Sequence, residues 1–291
     1  MTRFPVLTLR LAVLGLFTVF FIAPVIWLLL APTKTDSALV TSNPFAFGSF
    51  RNVWHAWQHL DAFSSHIYRR WIANSLIYSL SATAITLAIS IPAGYGLALG
   101  KFPGRKVILT LTLVVMIMPA AALVLPIFLE LNAVHLIGSV FSVILPFSFF
   151  PFGVYLAYIY YATAIPSELL DAARVDGCGE WLTFSRIALP LAKPVLALVF
   201  FFSFVSNWNN FFLPYVVLAN SDQYPITVGL SDLLSSTPSF NPAVGGGGQS
   251  VNIFKPELAL ATLIAVIPVA IVFLVSQRAL VRGTLGGAVK Q

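Results

Sequence analysis

Ile165-Pro-Ser-Glu-Leu-Leu-Asp-Ala-Ala-Arg-Val-Asp-Gly-Cys-Gly-Glu-Trp-Leu-Thr-Phe-Ser-Arg-Ile-Ala-Leu-Pro190 is a largely polar stretch set between two long apolar runs. Ser167 is a candidate N-cap, Glu168 and Asp171 suit the positive end of a helix, and Gly177 can close it. The expected element is a helix of about three turns. So short a helix is marginal alone in water and needs a packing surface, which the small Ala172 and Ala173 would let approach closely. Two readings stay open at this point: the helix docks on another chain, or it rests on its own bundle.

Outward from this stretch the chain is apolar. The runs are Leu11 to Ala31, Ile72 to Gly100, Val107 to Leu129, Leu136 to Ala162, Leu189 to Ala219 and Leu258 to Val281. Each can cross roughly 30 Å of hydrocarbon as a helix. Of the 291 residues, 58% are hydrophobic and 9% charged, against about 25% charged in soluble domains. An all-α membrane protein with six transmembrane helices follows, its solvent lipid. The first run exceeds the roughly 7–15 residues of a signal-peptide core and is read as a retained helix, with cleavage the alternative.

Short cytoplasmic loops are enriched in Lys and Arg. Placing the N-terminus inside puts Arg3, Arg10, Lys101, Arg105, Lys106, Arg174, Arg186, Lys193, Arg278, Arg282 and Lys290 in the cytoplasm, and Lys34, Arg51, Arg69, Arg70 and Lys255 outside. Both termini are then cytoplasmic, with Arg69 and Arg70 assigned to the lipid headgroups. The net charge of +6 arises from these scattered residues, which form no stripe for nucleic acid.

Several chemistries are disfavoured. No charged residue lies near the middle of a run, as proton or sodium coupling usually requires. Gly245, Gly246, Gly247 and Gly248 are followed by Gln249 and Ser250, without the lysine of a phosphate-binding loop. His55, His59 and His66 lack further ligands at matching spacing, so no metal is assigned, and they sit in an interfacial amphipathic segment with Trp54, Trp57 and Trp71. Cys178, the single cysteine, has no adjacent catalytic His, and no enzyme activity is assigned to this chain.

Asp171-Ala172-Ala173, three residues, Gly177, nine residues, then Ile187-x-Leu189-Pro190 resembles the EAA loop of ATP-binding-cassette (ABC) importer permeases. Asp171 stands where that family usually has Glu, a shorter acid of equal charge. Asn74-Ser75-Leu76, Phe102-Pro103-Gly104-Arg105, Asn207-Trp208-Asn209 and the tail from Gln277 resemble the carbohydrate-uptake branch, like the maltose-transporter permease with a short periplasmic insertion. The resemblance implies the type I importer permease fold, with a cytoplasmic coupling helix. It implies residues 1–71 as an N-terminal helix and outside loop, and 72–291 as a five-helix core holding the EAA loop at 165–190. Glu168, Asp171, Ala172, Ala173, Gly177, Ile187, Leu189 and Pro190 become the ATPase-coupling residues.

It further implies a sugar importer of a bacterial or archaeal cytoplasmic membrane. A second permease, two ATPase subunits carrying ATP and Mg, and an extracytoplasmic sugar-binding protein would complete it, and this chain would bind no cofactor. Glycerol-phosphate-type or polyol import, or an autonomous secondary carrier, are the alternatives. Ser203, Ser206, Asn207 and Asn210 follow i, i+3, i+4, i+7, which would place them on one helix face. Such a stripe either bonds neighbouring helices or, with Trp208, lines a substrate path. The segment from Asn220 to Pro256, with its four glycines, is read either as an outside loop touching the binding protein or as a flexible linker.

Overall fold

A computed structural model describes residues 3–237, 240–241 and 253–285. Among them every regular element is helical. In chain order these are α1 (Arg3–Leu30), α2 (Asp36–Thr41), α3 (Phe50–Ala62), α4 (Ile67–Leu99), α5 (Arg105–Ile117), α6 (Ala120–Ala133), α7 (Phe141–Ser148), α8 (Pro151–Thr163), α9 (Ser167–Val175), α10 (Glu180–Thr183), α11 (Leu189–Leu191), α12 (Lys193–Trp208), α13 (Phe212–Val217), α14 (Ile226–Ser235) and α15 (Lys255–Leu285). Among the described residues, four stretches are long and apolar enough to cross a bilayer, or up to six if two bent pairs each count as one span. The chain is a multi-pass membrane protein.

Two of the apolar runs are sharply bent at prolines. The run from Val107 to Leu129 turns through 109° between α5 and α6. Met118, just before Pro119, is extended at φ −67 and ψ 130, because the proline ring excludes the helical region for its predecessor. The run that begins at Leu189 turns through 75° between Leu191 and Lys193, where Pro190 and Pro194 each lack an amide donor. The preceding turn, Phe184–Ala188, is a π-helix.

The chain divides into two compact units. The first joins residues 1–69 to 229–267. In it, α1 carries large apolar side chains exposed all round, as suits a helix meant for lipid. The connection after α1 is organised by Thr33, whose carbonyl accepts from Ser49 N at 2.7 Å and from Asn52 Nδ2 at 2.8 Å. Lys34 is buried, yet its ammonium is satisfied by the carbonyls of Asn43 and Pro44. His59 Nδ1 meets Glu257 Oε1 at 3.0 Å, and Tyr68 Oη donates to Ala261 O at 2.7 Å. Arg69 forks onto both oxygens of Asp61 and holds that carboxyl below its usual range, against the smaller opposing effect of burial. His66 also meets Asp61, at 3.1 Å. Arg69 thus has a protein partner in Asp61.

The second unit, residues 70–228 and 268–291, holds the candidate site. Arg70 pairs with Asp222 at 2.8 Å. Trp71, expected in an interfacial segment, is instead fully buried, its Nε1 donating to Ser221 O at 2.8 Å. One apolar cluster gathers Ile91, Tyr95, Ala157, Tyr161, Leu170, Phe184, Ala188 and Val199 from α4, α8, the loop and α12. A second joins Tyr78, Ala82, Val143, Phe147, Leu213 and Val217. The span from Asn220 to Pro256, read as a loop, contains α14, because Ile226, Val228 and Leu233 are buried. Gly245, Gly246, Gly247 and Gly248 lie outside the described residues.

Candidate functional site

The loop helix forms where its sequence pattern puts it, with one shift at its start. Pro166, with ψ 131, occupies the N-cap position, and Ser167 is the first helical residue rather than the cap. Proline suits this place because its fixed φ and missing amide cost nothing at a helix entrance. At the other end Gly177 has φ +82, and Cys178 N bonds Ala173 O at 2.9 Å while Gly177 N bonds Arg174 O at 3.1 Å. These two bonds are the reciprocal pair of a Schellman cap, which needs a left-handed residue at the glycine.

α9 buries Leu170 and Ala173 against its own chain. Glu168, Leu169, Asp171, Ala172 and Val175 are exposed. Val175 is 87% exposed and Trp181, just beyond the cap, 74%. Of the two alanines expected to meet a partner, only Ala172 faces outward, because α9 is amphipathic and Ala173 falls on the same face as Leu170. Ile187 and Leu189 are half-buried against the first apolar cluster, and Pro190 is exposed at the start of α11.

Arg174 joins the two sides of the cap. Its Nη1 reaches Asp171 Oδ1 at 2.9 Å, and its Nε and Nη2 reach Glu180 Oε1 at 3.2 and 3.1 Å. Hydrogen bonding to Asp171, then the charge of Glu180, raises the pKa of the guanidinium above its ordinary value.

The stripe expected on α12 is not one face. The helix ends at Trp208, so Asn210 lies beyond it. There its carbonyl accepts from Thr227 Oγ1 at 3.0 Å and its side-chain oxygen accepts from Leu213 N at 3.4 Å. Ser203 and Asn207 are buried: Asn207 Nδ2 donates to Ser203 Oγ at 3.4 Å and Thr83 Oγ1 at 3.5 Å, and the two hydroxyls lie 3.3 Å apart. Trp208 is buried too, stacked on Phe204 at 5.6 Å. Ser206 and Asn209 are exposed.

Thr83 belongs to a row the sequence reading missed: Ser75, Ser79, Thr83, Thr86 and Ser90, all buried along α4. Their spacing of three or four residues was the available signal. Ser75 Oγ accepts from Ile226 N at 2.6 Å, and Thr86 Oγ1 donates to Ser148 O at 3.0 Å. Hydroxyls of this size let helices approach and bond each other. Asn207→Leu should therefore lower the stability of the detergent-solubilised protein by about 1 kcal/mol, from two side-chain bonds of about 0.6 kcal/mol each. Ser206→Leu should leave it unchanged, and equal unfolding midpoints for the two variants would sink this assignment.

Among the described residues no group of three His, Cys, Asp or Glu side chains is placed to hold a metal ion.

Residues 90–286 match the family of binding-protein-dependent transport system inner membrane components. The arabinooligosaccharides transport system permease AraQ of Bacillus subtilis is 37% identical over 77% of this chain and 74% of its own length. The lactose transport system permease LacG of Rhizobium radiobacter is 31% identical over 94% of this chain and 93% of its own. The fold is shared with a chain from a bacterial ABC transporter involved in import of the acidic polysaccharide alginate, at TM-score 0.79, covering 96% of this chain and 98% of that one with 22% identity. With a family match that runs from within α4 through α15 and takes in the capped loop helix, this chain belongs to the inner membrane components of binding-protein-dependent transport systems.

Proposed function

We propose that this chain is the permease subunit of an ATP-driven importer of oligosaccharides. The observation that carries the reading is α9, a capped amphipathic helix anchored through Leu170 and Ala173 while Leu169, Ala172, Val175 and Trp181 stay open to a partner. Exposed apolar side chains clustered beside exposed acids suit a protein groove with a basic rim. That partner is an ATPase subunit, one of two, which together hold ATP and Mg. A second permease pairs with this chain, both termini are cytoplasmic, and a sugar-binding protein delivers substrate from outside near Gly245 to Gly248. This chain performs no covalent chemistry.

The substrate class is supported by relatives whose names specify arabinooligosaccharides and lactose. Exposed Ser206 and Asn209 near the end of α12 are costly to turn toward lipid, so they line the path, where neutral donors and acceptors replace the water bound to sugar hydroxyls. The half-buried Asn210 beyond them extends that polar rim. Asn207 and Ser203 hold the wall in place from behind.

The test is purification and reconstitution. An ATPase and a different permease should be recovered with this chain, and the complex in liposomes should take up labelled oligosaccharide only with ATP and binding protein. A chain that purified alone and moved sugar without ATP would overturn the reading.

A further inference from the structure

We infer that Arg174, Glu180 and Tyr95 form a breakable joint that passes movement of the coupling segment to the C-terminal end of α4. The inference rests on α9 being the surface that meets the ATPase.

One side of the joint is bridged. The Arg174 guanidinium spans the Gly177 turn, holding Asp171 on α9 and Glu180 at the start of α10. One side chain thus bridges α9, the cap and α10. All three charged side chains are substantially exposed, and such pairs contribute little to stability; their effect is on alignment.

The other side is weak. Glu180 Oε2 accepts from Tyr95 Oη at 3.4 Å, long for a hydroxyl donor, which is usually found near 2.7–2.8 Å. Tyr95 lies in the last turns of α4, its ring edge-on to Tyr161 at 5.4 Å and tilted against Phe184 at 5.0 Å. Beside this contact lies a cavity of about 470 Å³, lined by Tyr95, Gly96, Leu99, Lys101, Arg174 and Glu180. A bridged turn, a long bond and open space give the segment somewhere to go.

Two buried hydroxyls near the joint have no hydrogen-bond partner in this arrangement: Tyr161 Oη, whose ring packs against Tyr95, and Thr183 Oγ1 at the end of α10. Leaving such a group unpaired is unfavourable. A movement that tightens the Tyr95 contact would also shift the surroundings of these two hydroxyls, because packed interfaces switch between discrete arrangements rather than deform smoothly.

The experiment uses the complete transporter in liposomes with Tyr95→Phe, Glu180→Ala and the double variant. It records ATPase recovery, ATP hydrolysis, thermal stability and sugar moved per ATP. Tyr95→Phe should keep ATPase recovery, hydrolysis and stability within about two-fold of the parent, while sugar per ATP falls roughly five-fold; Glu180→Ala, which also frees Arg174, should lose at least as much sugar per ATP. The double variant should lose no more than the worse single one, since both break the same joint. Unchanged sugar per ATP in both single variants, or additive losses in the double, overturns the joint. A parent complex without ATP-driven uptake would remove the underlying reading and the joint with it.

Discussion

Replacing Gly94 by leucine should leave little folded protein to recover from the membrane. A Cβ at this position would lie 2.3 Å from Ala157 Cβ, 2.7 Å from Tyr158 N and 2.8 Å from Ala157 C. Two of those three atoms are backbone of α8, so no rotamer change relieves the contact. Ala157 is fully buried, which makes this the closest kind of helix approach, small residue against small residue. Overpacking a core with atoms that can shift typically costs about 1–3 kcal/mol, and a backbone collision belongs at or above the top of that range. Even Gly94→Ala should lower the midpoint of thermal unfolding, since the Cβ alone collides. Size-exclusion recovery and unfolding of the solubilised protein would read both. A leucine variant as monodisperse and as stable as the parent would show that α4 and α8 do not pack this closely.

The second large effect is expected at α9, and there the fold should survive. Gly177 has φ +82 with nothing within 4 Å of an added Cβ, so Gly177→Val acts mainly through backbone strain. A left-handed conformation costs an ordinary residue about 1–2 kcal/mol, and a β-branched one more. The Schellman turn should open and misalign α10 with α9. Asp171→Lys acts differently. It removes the acceptor held by Arg174 and sets a cation beside it, and beside the basic rim proposed for the partner. It should cost more than Asp171→Ala, which only removes the attraction. Both Asp171→Lys and Gly177→Val should insert in the membrane and pair with the second permease. ATPase recovery or ATP-driven uptake should fall by about tenfold, corresponding to about 1.4 kcal/mol at the contact. Normal recovery together with normal uptake in both variants would show that α9 is not the coupling surface.

Local signals were the legible ones. The apolar runs, the EAA spacing and the glycine that ends α9 each depend on a few neighbouring residues, and a reader of the chain can weigh them without knowing what lies across the bundle. Gly177 is the clearest instance: a helical pattern that stops at glycine asks for a left-handed cap, and the φ of +82 meets that demand. The departures all involve a partner distant in sequence or a break in periodicity. The stripe from Ser203 to Asn210 assumed a helix continuing past Trp208, whereas Asn210 instead receives bonds from Thr227 and Leu213 beyond its end. Trp71 looked interfacial by composition, but its indole finds Ser221, 150 residues away.

By itself, then, the sequence determined that the chain lives in lipid, that it is helical, and that a short capped helix of importer-permease type interrupts its apolar runs. Those properties follow from hydropathy, backbone preference and short spacing, which are set within a few turns of chain. Only the tertiary structure decided which face of α9 is anchored through Leu170 and Ala173 and which is left open at Leu169, Ala172 and Val175. It also decided that Ser203 and Asn207 are bound to Thr83, and that Arg174 and Glu180 are brought to Tyr95. The physical reason is that small hydroxyls, amides and charges in a membrane protein can be satisfied by many partners. Which one is chosen depends on how closely helices such as α4 and α8 can approach.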